Sequence, residues 1–278
     1  MSNKFAAACL VSLFWLAGCT KAQPPAQTTT PSVSEFKEIA KINNPGKVVH
    51  VLVALCDNEN QGIVPVPAAL GNGEDPQKNL YWGAAYGVKT FFSKSANWQK
   101  IAEIANPKEN VLQRIVFKHR SENVYLVADA YRGSKMRETI DDFFAAVAGA
   151  RRENVAVGNQ TLQILGSAAL VAFVGHNGLM DFELENQPAK LDDDPREAVI
   201  LACASRNYFS APLKKTSAVP LLWTSNLMAP EAYILHDALE GWTRGESAEQ
   251  VRTRAAGAYA KYQRISLRAA RNLLVTGW

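Results

Sequence analysis

The side chains of this 278-residue chain best suited to nucleophilic or acid/base work are four cysteines and four histidines, and their positions divide them clearly. Cys9 and Cys19 fall at the start of the chain, while Cys56 and Cys203 lie far apart in its body. Cys56 and Asp57 follow a β-branched run at 48–55. His176 follows an uninterrupted apolar run at 168–174, and Cys203 follows another at 197–201. Each therefore sits just past the carboxyl end of an expected strand. An imidazole and a thiol on adjacent strand ends can meet at hydrogen-bonding distance, as a thiol nucleophile and its proton carrier require. Taken singly, a cysteine ending a strand also reads as a small buried hydrophobe, and a histidine after a strand as a loop residue. His50 lies inside a strand and reads as structural; His119 falls in a turn and His236 in a helix.

Other chemistries find less in the sequence. No Cys-x-x-Cys pair or His/Cys cluster has metal-ligand spacing, so no metal is expected. There is no Gly-x-Ser-x-Gly elbow for a serine hydrolase. Neither a phosphate-binding loop nor a glycine fingerprint follows the first strand, so no cofactor is expected. The formal net charge is only +4, which gives no reason to expect nucleic acid.

The elements that must hold these residues alternate. Strands are expected at 48–55, 111–117, 123–128, 168–174, 197–201 and 219–223. Helices are expected at 80–93, at 134–148, from Pro230 to about Trp242, and from Ser247 to about Leu274. Ser247 and Gln250 form a capping box at the start of the last. Buried strands alternating with helices imply an α/β fold, a three-layer α/β/α sandwich with a mainly parallel sheet. In such sheets ligands bind at the carboxyl ends of the strands.

An apolar strand ending in His176-Asn177-Gly178, then one ending in Ala202-Cys203-Ala204-Ser205, resembles the caspase, gingipain, legumain and separase clan of cysteine peptidases. Its bacterial CHAT-type members are the most similar. The resemblance runs from about Val48 to Trp242 and includes the later strand Val219-Pro220-Leu221-Leu222-Trp223. It implies a caspase-like fold, with Cys203 as nucleophile and His176 as general acid/base. Backbone amides of Gly178 and Cys203 would form the oxyanion hole. Asp57 and Asp75, in the loop after the first strand, and Ser225, after the strand that walls the cleft, would contact the substrate. The acidic loop would favour a basic side chain, although such charges are also what a solvated loop carries. The implied reaction is amide hydrolysis of a peptide or protein through an acyl-thiol intermediate. Two features depart from the clan pattern: Asn177 separates His176 from glycine, and His176 and Cys203 are only 27 residues apart. That interval has room for one small hairpin, beginning at 181–187.

The N-terminus carries a separate signal. Lys4 precedes an apolar stretch at 5–16, too short to span a bilayer. It ends in Leu16-Ala17-Gly18-Cys19, which resembles the lipobox of bacterial lipoproteins. The resemblance implies a leader at 1–18 and palmitate or similar acyl chains on Cys19, with more than one chain needed for stable anchoring. Thr20 after the cysteine points to the outer membrane of a cell that has one, facing periplasm or surface. Residues 19–34, rich in Pro, Thr and Gln, read as a flexible tether, and 35–278 as the folded domain. Its partners would be the membrane, through the lipid, and a peptide or protein.

Three further expectations complete the reading. In an exported protein Cys56 and Cys203 could pair as a disulfide. Tyr81, Trp82 and Tyr86 could form a stacking platform, although packing of a helix on the sheet explains them more simply. Arg264, Arg268 and Arg271 would form one basic stripe on the last helix, facing solvent or acidic lipid. The competing function is a catalytically inactive binding or scaffold module on the same fold. A two-lobed solute-binding lipoprotein would show internal duplication, and none is visible.

Overall fold

The computed structural model describes residues 39–278. The leader, Cys19 and the whole tether at 19–34 lie outside them. Described in chain order, the elements are β1 (Lys47–Ala54), α1 (Val88–Ser93), β2 (Trp98–Lys108), β3 (Val111–His119), β4 (Val124–Tyr131) and α2 (Met136–Val147). There follow β5 (Arg152–Val157), β6 (Gln160–Leu165), β7 (Leu170–Val174), β8 (Arg196–Leu201), α3 (Ser205–Leu213) and β9 (Ala218–Thr224). The chain ends with α4 (Ala232–Thr243), α5 (Ala248–Gln263), α6 (Leu267–Leu273) and β10 (Leu274–Val275).

The central sheet has the order β10-β9-β8-β7-β1-β4-β3-β2. Strands β9, β8, β7, β1 and β4 run parallel, and β2, β3 and β10 are antiparallel to their neighbours. Helices cover both faces, giving a three-layer α/β/α arrangement. Successive side chains of a strand point to opposite faces, and β1 uses both. Val49, Val51 and Val53 pack with Phe92, Leu235 and Val251 of α1, α4 and α5. Val48 and Leu52 pack with Ile140, Phe143 and Phe209 of α2 and α3. Burial on both faces is why β7 reads as an unbroken apolar run and β1 as one interrupted within by His50 alone.

The opposite face of β1 also carries His50, fully buried, whose Nε2 lies 3.2 Å from Asp129 Oδ2 on β4. Arg114 of β3 grips the same carboxylate with Nε at 2.6 Å and Nη2 at 2.8 Å, and its Nη1 meets Glu153 on β5. Burial by itself would raise the Asp129 carboxyl. The guanidinium and the imidazole outweigh it and hold that group well below the usual carboxylate range. His50 is structural, as expected.

Several expected elements are corrected. The helix expected at 80–93 exists only as α1; before it the amides of Trp82, Gly83 and Ala84 all converge on the Asn79 carbonyl, a turn rather than a helix. The last helix does start at the Ser247–Gln250 capping box. It stops at Arg264, in a left-handed conformation, and α6 restarts behind a Ser266 cap. Arg264, Arg268 and Arg271 thus share no single helix, and Arg271 pairs with Glu249. No hairpin begins at 181–187: a 3-10 turn at Gly178–Met180 leads into irregular chain. The sequence reading missed β2, an edge strand dotted with charged residues. It also missed α3 and the β5–β6 hairpin, although the two-residue Gly158-Asn159 turn between Val157 and Gln160 is a legible hairpin signal.

Candidate active site

Parallel register brings the two loops together. Val174 of β7 pairs with Leu201 of β8, and the Gly175 amide donates to the Leu201 carbonyl at 3.2 Å. Two residues further along each chain stand His176 and Cys203. Neighbouring strands lie ~4.8 Å apart, so this register starts the two loops side by side at the carboxyl edge. Gly175 has φ +152°, and a Cβ there would meet the Ala54 carbonyl oxygen at 2.9 Å. The turn that releases His176 from β7 therefore requires glycine.

Cys203 sits in a sharp strand-to-helix turn. Ala204 caps α3 with φ 47° and ψ 34°, a left-handed conformation uncommon for a residue with a side chain. The Ala204 amide donates to the Asn226 carbonyl at 2.9 Å. The half-buried Cys203 thiol lies against the main chain of Met228, accepting from its N–H at 3.4 Å and donating to its carbonyl at 3.5 Å. The loop after β9 therefore wraps the sulfur.

His176 faces a carboxylate instead. Its Nε2 lies 2.6 Å from Asp181 Oδ2, and no hydrogen bond joins the ring to Cys203 among the described residues. Between the two loops stands Asn177, fully buried. Its Nδ2 donates to the Cys203 carbonyl at 2.7 Å, and its Oδ1 accepts from the Leu179 amide at 3.1 Å. Asn177 is thus the residue that bridges the loops. Gly178 is buried, and a Cβ on it would come 2.7 Å from Met136 Cγ and 2.8 Å from the Phe182 ring. Neither its amide nor that of Cys203 donates to a main-chain carbonyl in the described turns and loops.

The remaining expected residues have other partners. Asp57 is buried, accepting from the Glu59 and Asn60 amides and from the Asn60 side chain; it folds its own loop. Asp75 accepts from the Gln77 amide in a turn, and Glu74 of the same loop pairs with Arg132. Ser225 donates to the Asn272 carbonyl at 2.8 Å, anchoring the C-terminal segment. Trp82 is buried and bonded to Gln113, so it serves packing rather than an open platform. Tyr86 is exposed, with its ring against Tyr233 and Tyr262.

Asn79 went unnoticed in the sequence although it fixes the loop after β1. Fully buried, it accepts from the Cys56 amide and donates to the Cys56 carbonyl, closing a two-bond clasp at 3.0 and 2.8 Å. Cys56 itself is buried beside the Tyr81 hydroxyl. Burial pushes its thiol up to about 11, the Tyr81 hydroxyl offsetting only part of the rise. Cys56 and Cys203 are both free thiols. Strand β7 separates β1 from β8, so their ends stand roughly 9–10 Å apart, beyond the ~7 Å limit for a disulfide. The pairing that the sequence left open is therefore not formed.

His119 packs edge-on against Trp98, and His236 meets Ser95 Oγ at 2.9 Å. Among the described residues no group of three His, Cys, Asp or Glu gathers as metal ligands, and no helix is long and apolar enough to cross a membrane. The molecule belongs to the broad class of three-layer α/β/α sandwiches with a mainly parallel sheet. No protein-family model, curated protein or solved structure matches this chain.

Proposed function

We propose that this chain is a lipid-anchored cysteine endopeptidase of caspase-like type, with Cys203 as nucleophile and His176 as general acid/base. The observation that carries the reading is the pairing of the two loops. His176 and Cys203 follow adjacent parallel strands in matching register, and the Asn177 side chain ties one loop to the other.

In this reading His176 takes the Cys203 proton as the sulfur attacks a peptide carbonyl. The amides of Gly178 and Cys203 donate to the oxyanion. His176 then protonates the leaving amine, and an acyl-thioester remains on Cys203. Water, deprotonated by His176, attacks the thioester; the acid leaves and the thiol is restored. Catalytic contacts are often longer in a free enzyme than in its substrate complex. Acyl chains on Cys19 would hold the domain at the cell envelope, on the outer membrane where one exists; the sequence at 1–34 is the support for that part.

One observation favours the second reading, a binding module with an idle pair. The Cys203 sulfur and the His176 ring are each bonded elsewhere, to Met228 and Asp181. The discriminating experiment uses the full chain in detergent and a thiol-reactive peptide electrophile, comparing wild type with His176→Ala and Cys203→Ala. Fast labelling that needs both residues supports the peptidase. Slow labelling indifferent to His176→Ala leaves the binding module. Incorporation of a palmitate analogue, abolished by Cys19→Ala, tests the anchor.

A further inference from the structure

We propose that Asp181 is a positioning residue for His176, fixing the ring so that Nε2 carries the proton and Nδ1 is the basic atom offered to Cys203. This rests on the peptidase reading and extends it from two residues to three.

An ionised carboxylate can only accept, so an Asp181 oxygen 2.6 Å from Nε2 requires hydrogen on that nitrogen. In the neutral ring the lone pair then belongs to Nδ1. Nδ1 makes no hydrogen bond within the described residues, so it is the atom left to take a thiol proton.

The geometry is built rather than incidental to a surface. The Asn177 oxygen accepts from Leu179 and starts the 3-10 turn, and the Asp181 amide closes it on the Gly178 carbonyl at 2.9 Å. The same Asn177 side chain holds the Cys203 carbonyl. One amide group therefore sets the spacing of all three functional residues. Downstream, the Arg137 guanidinium lies 4.1 Å from the Phe182 ring centre and donates to the Glu183 carbonyl at 2.9 Å, pinning the chain after Asp181 to α2. Across the loop stands Gly62, where a Cβ would come 3.3 Å from Asp181 Oδ1. No lysine or arginine pairs with Asp181 among the described residues; histidine is its one ionic partner. The carboxylate is 45% exposed, so a pair of this kind adds little stability. Its consequence is orientation.

The test uses the full-length protein in detergent with histidine ring nitrogens labelled for NMR, alongside rates of reaction with the peptide electrophile. The wild-type neutral ring of His176 should show hydrogen on Nε2. Asp181→Ala should shift the ring toward the other tautomer and slow Cys203 labelling by about 10- to 100-fold, with apparent electrophile affinity retained. Asp181→Glu should restore part of the rate. If His176→Ala is slow but Asp181→Ala labels like wild type with an unchanged tautomer, the Asp181 inference falls and the peptidase reading stands. If His176→Ala labels like wild type, the peptidase reading falls, and the role of Asp181 with it.

Discussion

The Asn177 side-chain nitrogen donates to the Cys203 carbonyl oxygen at 2.7 Å, joining the loops that follow β7 and β8. Asn177 is fully buried and Cys203 half-buried, so losing the donor removes the carbonyl's partner at a site with little access to water. Asn177→Ala should destabilise the protein by about 1–3 kcal/mol, read from the urea midpoint, and should slow Cys203 labelling. Asn177→Asp should be worse, because a carboxylate would face a carbonyl oxygen.

Ala204 holds the strand-to-helix turn in a left-handed conformation. That conformation costs a residue with a Cβ roughly 1–2 kcal/mol, while glycine costs roughly 0.5–1 kcal/mol in backbone entropy. Ala204→Gly should therefore raise stability slightly, and Ala204→Val should lower it by more than 1 kcal/mol on the same ~1–2 kcal/mol scale with added β-branching. Thermal unfolding of the two variants checks both signs.

The two thiols of the body should react differently. Cys56 is fully buried with its thiol raised to about 11, so a small alkylating reagent at pH 8 should modify Cys203 first. Peptide mapping after brief exposure decides it. The Cys56 value in the fold lies above its ordinary 9.0. Its contribution to stability is therefore complete below pH 9 and is lost as pH rises through about 11. Cys56→Ala should flatten that alkaline decline.

Asp129 works in the opposite direction. Its carboxyl is depressed in the fold from an ordinary 3.8, so its contribution is present above about pH 4 and is lost as pH falls below it. Removing its partner is the harsher change: Arg114→Met would strand a buried carboxylate and should cost about 3–5 kcal/mol. Asp129→Asn together with Arg114→Met should recover part of the loss. Urea unfolding at pH 7 and at about pH 2 measures each effect.

Much of the sheet was legible because its strands are short apolar runs buried on both faces, and those at 168–174 and 197–201 end where β7 and β8 end. The edge strand β2 was not, because one flank faces water and its alternation is broken by Asn106, itself in a left-handed conformation. The expected helix at 80–93 failed because three successive amides converge on the main-chain carbonyl of Asn79, a turn that periodicity does not register. In the sequence Asp181 stands where a hairpin is expected to start. The residue type at a five-residue interval from His176 was visible; the turn that folds it back onto the ring was not.

By itself the sequence determined the class of fold and which strand ends carry His176 and Cys203. Hydrophobic period and strand-end residues depend on local chemistry, which the chain carries in order. Tertiary structure alone decided which strands are neighbours, that β7 stands between Cys56 and Cys203, and that Asn177 spans two loops and orders the turn carrying Asp181. Those relations join residues distant in sequence, and they arise only when burial of both sheet faces fixes strand order and register.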